Sequence, residues 1–434
     1  MTEILAASGA ALIFLIIAFA TKRRFLPVLA LWAFVLLPVG YTALPSVIGR
    51  YLTPALLLVL IWELRVITRR GRGRKAPGIF DAGVIILLGL LVVSSFLGES
   101  ALSSLLWVTV FAVTTVLAAR AAIVSDATDL DIGMLQRHLL YVGAFIGVVT
   151  LIGLLFQVNP WDLVYTEIYR DRSWSVARAK ASFGHPLVLS LVASAIVASG
   201  VAFTVRRPLL LIFGMGGAVL GLILSVSRTG LVATALGVMI AVLAQSVGRT
   251  RGAQWRAIVA LLLGSAVVLF AWNSDLLQDR QSSADGTGSS TYRDAIFERA
   301  VRLIQSGGLT GYGPGRSVDV YAQNYPGLIL ENSALQLVIS LGALSILVLL
   351  AIVLTGVASL RRSRAWAPAG LAAVCVSLSG FNALDANPAI LVIAVPFIVA
   401  CWAPRDDAPP VPAARPRKKA VRIGTRLAAD RSGR

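Results

Sequence analysis

Three charged side chains stand where charge is expensive or chemically useful. Arg228 lies in SVSRTG (225–230), between the apolar runs PLLLIFGMGGAVLGLIL (208–224) and LVATALGVMIAVLA (231–244). An arginine buried in hydrocarbon costs roughly 2.5–3.5 kcal/mol on insertion scales, so a negative group, a watery cavity or a headgroup must offset it. Two readings stand: snorkelling to lipid phosphate at a span end, or an inward anion site. Arg293 lies in TYRDAIFERAVRLIQ (291–305), whose spacing predicts an amphipathic helix. Ser290 or Thr291 would cap it and Gly307-Gly308 would end it. Arg293 would then sit in the first turn, where free N–H groups and the helix dipole suit an anion; the alternative is an ordinary surface charge beside Asp294. Glu331 opens ENSALQLVISLG (331–342). It is either a carboxylate poised as a general base or a residue favouring a helix N-terminus capped by Asn332 or Ser333.

Further residues surround these. GYGPGRSVDVYAQN (311–324) is a glycine-rich turn carrying Arg316. Such turns let backbone N–H groups approach phosphate, though glycine turns without that role are commoner. His185, between Gly184 and Pro186, starts an apolar run and reads more readily as structural than catalytic. Trp161, Tyr165, Tyr169 and Trp174 fit an interfacial belt or sugar-stacking surfaces.

The elements that must position these residues are membrane helices. The chain is 57% hydrophobic and 14% charged, with mean hydropathy +0.82. Apolar runs long enough to cross a bilayer recur along its length. The expected fold is all-α: a polytopic helical membrane protein of about 12–13 transmembrane helices. The spans are roughly 4–20, 25–43, 51–67, 79–97, 101–119, 138–156, 186–204, 208–225, 229–247, 257–273, 333–357, 366–381 and 388–402. The first run lacks a basic n-region and a cleavage site, so a retained span is expected there rather than a signal peptide. Basic residues fall in alternate loops: Lys22 to Arg24, TRRGRGRK (68–75), Arg206-Arg207, Arg249 to Arg256 and RRSR (361–364). The positive-inside bias makes that face cytoplasmic. Segments 157–185 and 274–332 then face outward, the latter as one long extracytoplasmic loop between late helices. The expected organisation is an integral membrane domain over 1–402 and a basic, disordered cytoplasmic tail over 403–434. The net charge of +18 is this bias plus the tail and requires no nucleic acid. Cys375 and Cys401 read as small buried apolar residues, and no metal-ligand spacing exists.

Four stretches in order carry a resemblance: RAKASFGHPLVLSLV (178–192), LSVSRTGLVATALG (224–237), TYRDAIFERAVRLIQSGGLTGYGPG (291–315) and ENSALQLVISLGALSILVLL (331–350). Together they resemble the O-antigen ligase and polymerase superfamily, integral-membrane transferases that use polyprenyl-diphosphate-linked glycans. The similar region is about 175–350. Two positions depart from the family pattern. Leu187 follows His-Pro where Asn is common, and Glu331 stands where ligases usually carry a histidine assigned to acceptor activation. The resemblance implies a metal-independent glycosyltransferase with no cofactor, acting at the outer face of the membrane. Its partners would be a polyprenyl-diphosphate-linked glycan donor, a glycan or lipid-glycan acceptor and the bilayer. Arg228, Arg293 and Glu331 would be catalytic, the arginines also binding diphosphate. Arg316, His185 and Asn332 would complete the diphosphate and glycan site. The rival readings are a transporter or flippase of lipid-linked or anionic substrates, and a non-catalytic scaffold or receptor.

Overall fold

The computed structural model describes residues 14, 16–37, 51–69, 79–97, 100–163, 178–246, 262, 273, 284–360 and 364–404. Its long elements follow the apolar runs: α1 (Leu26–Leu36), α2 (Pro54–Ile67), α3 (Ile79–Leu97), α4 (Ala101–Val124), α5 (Ile132–Phe156), α6 (Pro186–Gly200), α7 (Pro208–Leu224) and α8 (Arg228–Ser246). Then come α9 (Ala284–Ser306), α10 (Ser317–Asn324), α11 (Ser333–Leu341), α12 (Leu344–Leu360), α13 (Trp366–Leu378), α14 (Ala383–Ala386) and α15 (Val395–Trp402). No strand occurs among the described residues. α4, α5 and α8 are each long and apolar enough to cross a membrane. Most of the first expected span, all but two residues of the one at 257–273, and the tail beyond Pro404 lie outside the described residues.

Helix starts follow local chemistry. Thr53 Oγ1 accepts from Leu56 N at 3.3 Å and Pro54 opens α2. Asp131 accepts from Met134 N at 2.8 Å, so α5 begins six residues before the expected 138. α6 is the centre of the bundle. Thirteen of its fifteen residues are buried, among them Ser190, Ser194 and Ser199. Each of those hydroxyls donates to a carbonyl one turn back, at 2.9, 2.9 and 2.7 Å, which lets serine sit in an apolar core. α7, α8 and α13 pack around α6. Large apolar side chains such as Ile85, Phe96, Leu209, Phe213 and Val353 are exposed, as a lipid-facing surface requires.

α5 and α7 meet backbone to backbone. A Cβ on Gly143 would lie 2.2 Å from the Gly214 carbonyl oxygen, and one on Gly147 would lie 2.5 Å from Gly217 Cα. Small residues at such a seam let membrane helices approach closely.

One expected span is not continuous. The run 333–357 breaks at Gly342, whose φ is +54, into α11 and α12. α11 packs with α9 and α10 in a second small core of Ile296, Ala300, Leu303, Val320, Tyr321, Leu330 and Ile339. The expected amphipathic helix is therefore α9, and its apolar face covers α11. It starts at Ala284 rather than 291. Ser290 and Thr291 are thus inside the helix, and Arg293 is not in its first turn. Gly307 and Gly308 end it as expected, Gly308 with φ +66.

Chain direction sorts the loops into two ends. At one end Arg23 bonds Asp129, Gln136 pairs with Thr204, Gln245 reaches the Val201 carbonyl, and Arg364 holds the Ala400 and Ala403 carbonyls. The described residues of the basic loops, Lys22 to Arg24, Arg69, Arg206-Arg207 and Arg364, lie at this end. Segments 178–185 and 225–228, the α9–α11 layer and residues 379–387 lie at the other.

Candidate functional site

The motif SVSRTG is resolved residue by residue at the far end of the bundle. Ser225 Oγ donates back to Leu222 O at 2.7 Å, closing α7. Val226 turns through φ +50. Ser227 Oγ accepts from Gly230 N at 3.2 Å and caps α8. Arg228 is then the first residue of α8 and is half-buried. Among the described residues it has no hydrogen-bond or ion-pair partner. A cation at a helix N-terminus opposes the dipole, and the first-turn N–H groups have no helical carbonyl behind them. Arg228 and its helix end are therefore complementary to an anion.

The 178–192 stretch buttresses this turn. Arg178 Nε donates to Ser225 O at 2.9 Å and Ala179 N to Leu224 O at 2.8 Å. Lys180 pairs with Asp162 at 2.7 Å. His185 caps α6, its Nδ1 accepting from Leu187 N at 3.2 Å. Trp161 packs edge-on against Phe145 with centroids 5.4 Å apart. Tyr165, Tyr169 and Trp174 lie outside the described residues.

Next to this turn is a cavity of about 360 Å³. Thr229 contributes from α8, Asp294, Ile296 and Phe297 from α9, Glu331, Asn332 and Leu335 from the start of α11, and Ser379 and Gly380 from the end of α13. Thr229 presses on the 379–380 turn, where a Cβ at Gly380 would lie 2.5 Å from Thr229 Oγ1. Glu331 is half-buried, and its carboxylate has no hydrogen-bond partner among the described residues. Asn332 is the N-cap of α11, its Oδ1 accepting from Ala334 N and Leu335 N at 2.9 and 3.0 Å. Its amide group remains for other contacts. Arg293 immediately precedes Asp294 on α9; its side chain lies outside the described residues.

The glycine-rich turn has a different task from cradling phosphate. Tyr312 N donates to Ile339 O at 3.1 Å and Gly313 N to Ser340 O at 2.9 Å. These are carbonyls of the last turn of α11, which lack helical partners of their own. Arg316 is buried and ion-paired to Asp319 at 3.4 Å, away from the residues lining the cavity.

Sequence reasoning passed over Asp385. It is 3% exposed, and its Oδ2 accepts from Ser340 Oγ at 2.6 Å, Ser317 N at 3.1 Å and Ser317 Oγ. Gln336 Oε1 accepts from Asp385 N at 3.2 Å. Burial pushes this carboxyl up to about 6, against the downward pull of the Ser317 and Ser340 hydroxyls. Asp385 thereby ties α10, α11 and α14 together. The available signal was a lone acidic residue, in NALDANPA, between two apolar runs. Thr229 and Asp294 were also missed as lining residues.

Three of the four stretches named from sequence thus meet at one cavity, and the fourth props up its rim. Residues 213–335 match the O-antigen ligase family model. This segment is O-antigen ligase-like. The match runs from α7 through the start of α11, so it takes in Arg228, Arg293, Arg316, Glu331 and Asn332. It supports a membrane glycan transferase of the ligase or polymerase type acting on a lipid-linked glycan and an acceptor. No curated protein matches the chain.

Proposed function

We propose that the protein transfers a glycan from a polyprenyl-diphosphate carrier to an acceptor hydroxyl at the outer face of the cytoplasmic membrane. The observation that carries this reading is the convergence of Thr229, Asp294 and Glu331, from three separate motifs, on one cavity at the end of the bundle opposite its basic loops. Arg228 and Arg293 hold the donor's diphosphate, whose oxygens match a guanidinium fork. Because Arg293 lies well inside α9, its contribution rests on its side chain alone and not on the helix dipole. Arg228 combines its charge with the N-terminus of α8.

Glu331 is the general base. It takes the acceptor's hydroxyl proton as the acceptor oxygen bonds to the anomeric carbon. The bond from that carbon to the diphosphate oxygen breaks with inversion, and its electron pair leaves on the diphosphate, where the arginines stabilise the charge. No step draws on a metal or a cofactor. Asn332 caps α11 and lines the cavity beside Glu331, while His185 caps α6 and is not among the lining residues. Arg316 sets the turn that closes α11 and so acts on the site through Glu331's helix.

The deciding experiment is incubation of the purified protein with a polyprenyl-diphosphate glycan and a glycan or lipid-glycan acceptor. Release of free polyprenyl diphosphate with formation of the glycosidic product is expected. Movement of intact donor across vesicles without release would identify a flippase instead.

A further inference from the structure

A second cavity, about 500 Å³ in volume, lies at the opposite end of the bundle from Glu331. Lys22, Arg23 and Arg24 reach it from before α1, Arg65 and Arg69 from the end of α2, and Asp129 from the turn before α5. A positive-inside bias requires only that such residues lie in loops. Here they are organised. Asp129 is 3% exposed and bonds Arg23 through Oδ1 at 2.9 Å and Arg69 through Oδ2 at 3.0 Å. Asp126 takes a second contact from Arg69 at 3.0 Å. Trp62 Nε1 holds the Asp129 carbonyl from below at 3.2 Å. Arg65 Nη1 is fixed on the carbonyls of Ala18 and Thr21, at 3.2 and 2.7 Å.

Two carboxylates therefore face five cations. Among the described residues no carboxylate pairs with Lys22, Arg24 or Arg65, so the cavity keeps an excess of three positive charges around pre-set guanidinium groups. The matching ligand is a phosphate, which accepts several N–H donors at once. The surface beside it is apolar: Phe25 and Leu29, one turn apart around the start of α1, are 37% and 36% exposed, and Leu64 on α2 is 51% exposed. Arg24 lies over the Phe25 ring, 5.0 Å from its centroid. Charge above and grease below fit an amphiphile.

We infer that this cavity binds the headgroup phosphate of an anionic phospholipid, whose acyl chains run down the exposed face of α1 and α2. This site is separate from the proposed glycan-transfer site.

The test is lipid retention, read by native mass spectrometry, after reconstitution into phosphatidylcholine bilayers containing a minority of phosphatidylglycerol. The full chain should retain phosphatidylglycerol in preference to phosphatidylcholine. Lys22→Gln with Arg24→Gln should lower that preference about tenfold or more, since each basic residue at an anionic surface supplies roughly a factor of five. Neither residue makes an ion pair among the described residues, so the unfolding temperature should hold. Lys22→Arg with Arg24→Lys, which keeps the charge, should retain the lipid. Equal retention of both lipids, or unchanged preference in the Gln pair, overturns the proposal. Displacement of phosphatidylglycerol by inorganic phosphate, with phosphate binding in lipid-free detergent, assigns the site to a soluble anion and overturns the lipid reading. The retention readout does not depend on glycan transfer, so its failure leaves the transferase reading intact.

Discussion

Gly311 and Gly342 meet backbone to backbone. A Cβ on Gly311 would lie 2.6 Å from the Gly342 nitrogen, and a Cβ on Gly342 would lie 2.6 Å from the Gly311 nitrogen. Both carry positive φ, +63 and +54. The pair couples the turn after α9 to the break between α11 and α12, and so sets how α11 presents Glu331 to the cavity.

Gly342→Ala should therefore cost stability twice, through its φ and through a clash with Leu309 O at 2.5 Å. A residue forced into a sparsely populated region costs of order 1–3 kcal/mol. Transfer activity should fall along with the unfolding temperature. Gly89→Ala on α3, where nothing lies within 4 Å of the added Cβ, should be neutral or slightly stabilising. Equal unfolding temperatures for the two variants would contradict this picture of the break.

Glu331→Gln keeps the shape and removes the proton acceptor. The transfer rate should fall about a hundredfold to ten-thousandfold, while donor binding survives because the arginines remain. Glu331→His should recover part of the loss, since neutral imidazole also accepts a proton. A residue that merely favoured the N-terminus of α11 would cost roughly 0.3–1 kcal/mol of stability and leave the rate nearly intact. Steady-state rates with saturating donor separate the two outcomes.

Arg228→Lys should lose most activity while the protein still inserts and folds, because lysine keeps the charge but not the planar fork. Arg293→Lys should fall comparably, now that α9 is seen to begin at Ala284 and no helix terminus backs that position. Donor affinity measured with a non-transferable diphosphate analogue reports the effect. Full activity in Arg228→Lys would return this residue to lipid snorkelling.

Asp385 sets a pH dependence of stability. Its folded value, about 6, lies above the ordinary 3.8, so the folded state holds the proton more tightly. Its stabilising contribution is present in acid and declines as pH rises through that window. Thermal unfolding in detergent should show this decline in the wild type and a flatter profile in Asp385→Asn. Asp385→Ala should be worse than Asn at every pH, because buried donors on Ser317 and Ser340 lose their acceptor at about 1–3 kcal/mol. Matching slopes in wild type and Asn variant would remove Asp385 as the source.

The spans were legible because hydropathy reads them directly: α3, α7, α8 and α13 start within a residue of the apolar runs that predict them. The break at Gly342 was not, because the residues on both sides are apolar and hydropathy does not sense φ. The start of α9 was misplaced because serine, threonine and glycine at 286–290 favour caps and turns over helix interior. At the site, Glu331 could be singled out as a carboxylate at a span mouth, and Arg228 as a cation in an apolar run. Asp385 offered only a lone carboxylate between apolar runs, and its role was hidden because its donors, Ser317 and Ser340, come from distant stretches that only folding brings together.

The glycine seam between α5 and α7 bears on motion. With Gly143 against the Gly214 carbonyl and Gly147 against Gly217, no side-chain layer separates the two backbones. A slide of one turn, about 5.4 Å, would set Leu140 or Leu220 where only hydrogen now fits. The two helices therefore behave as a single strut spanning the bundle from its basic end to the Arg228 turn. The end of α7, and with it the Arg228 turn, is thereby held at a fixed height against α5.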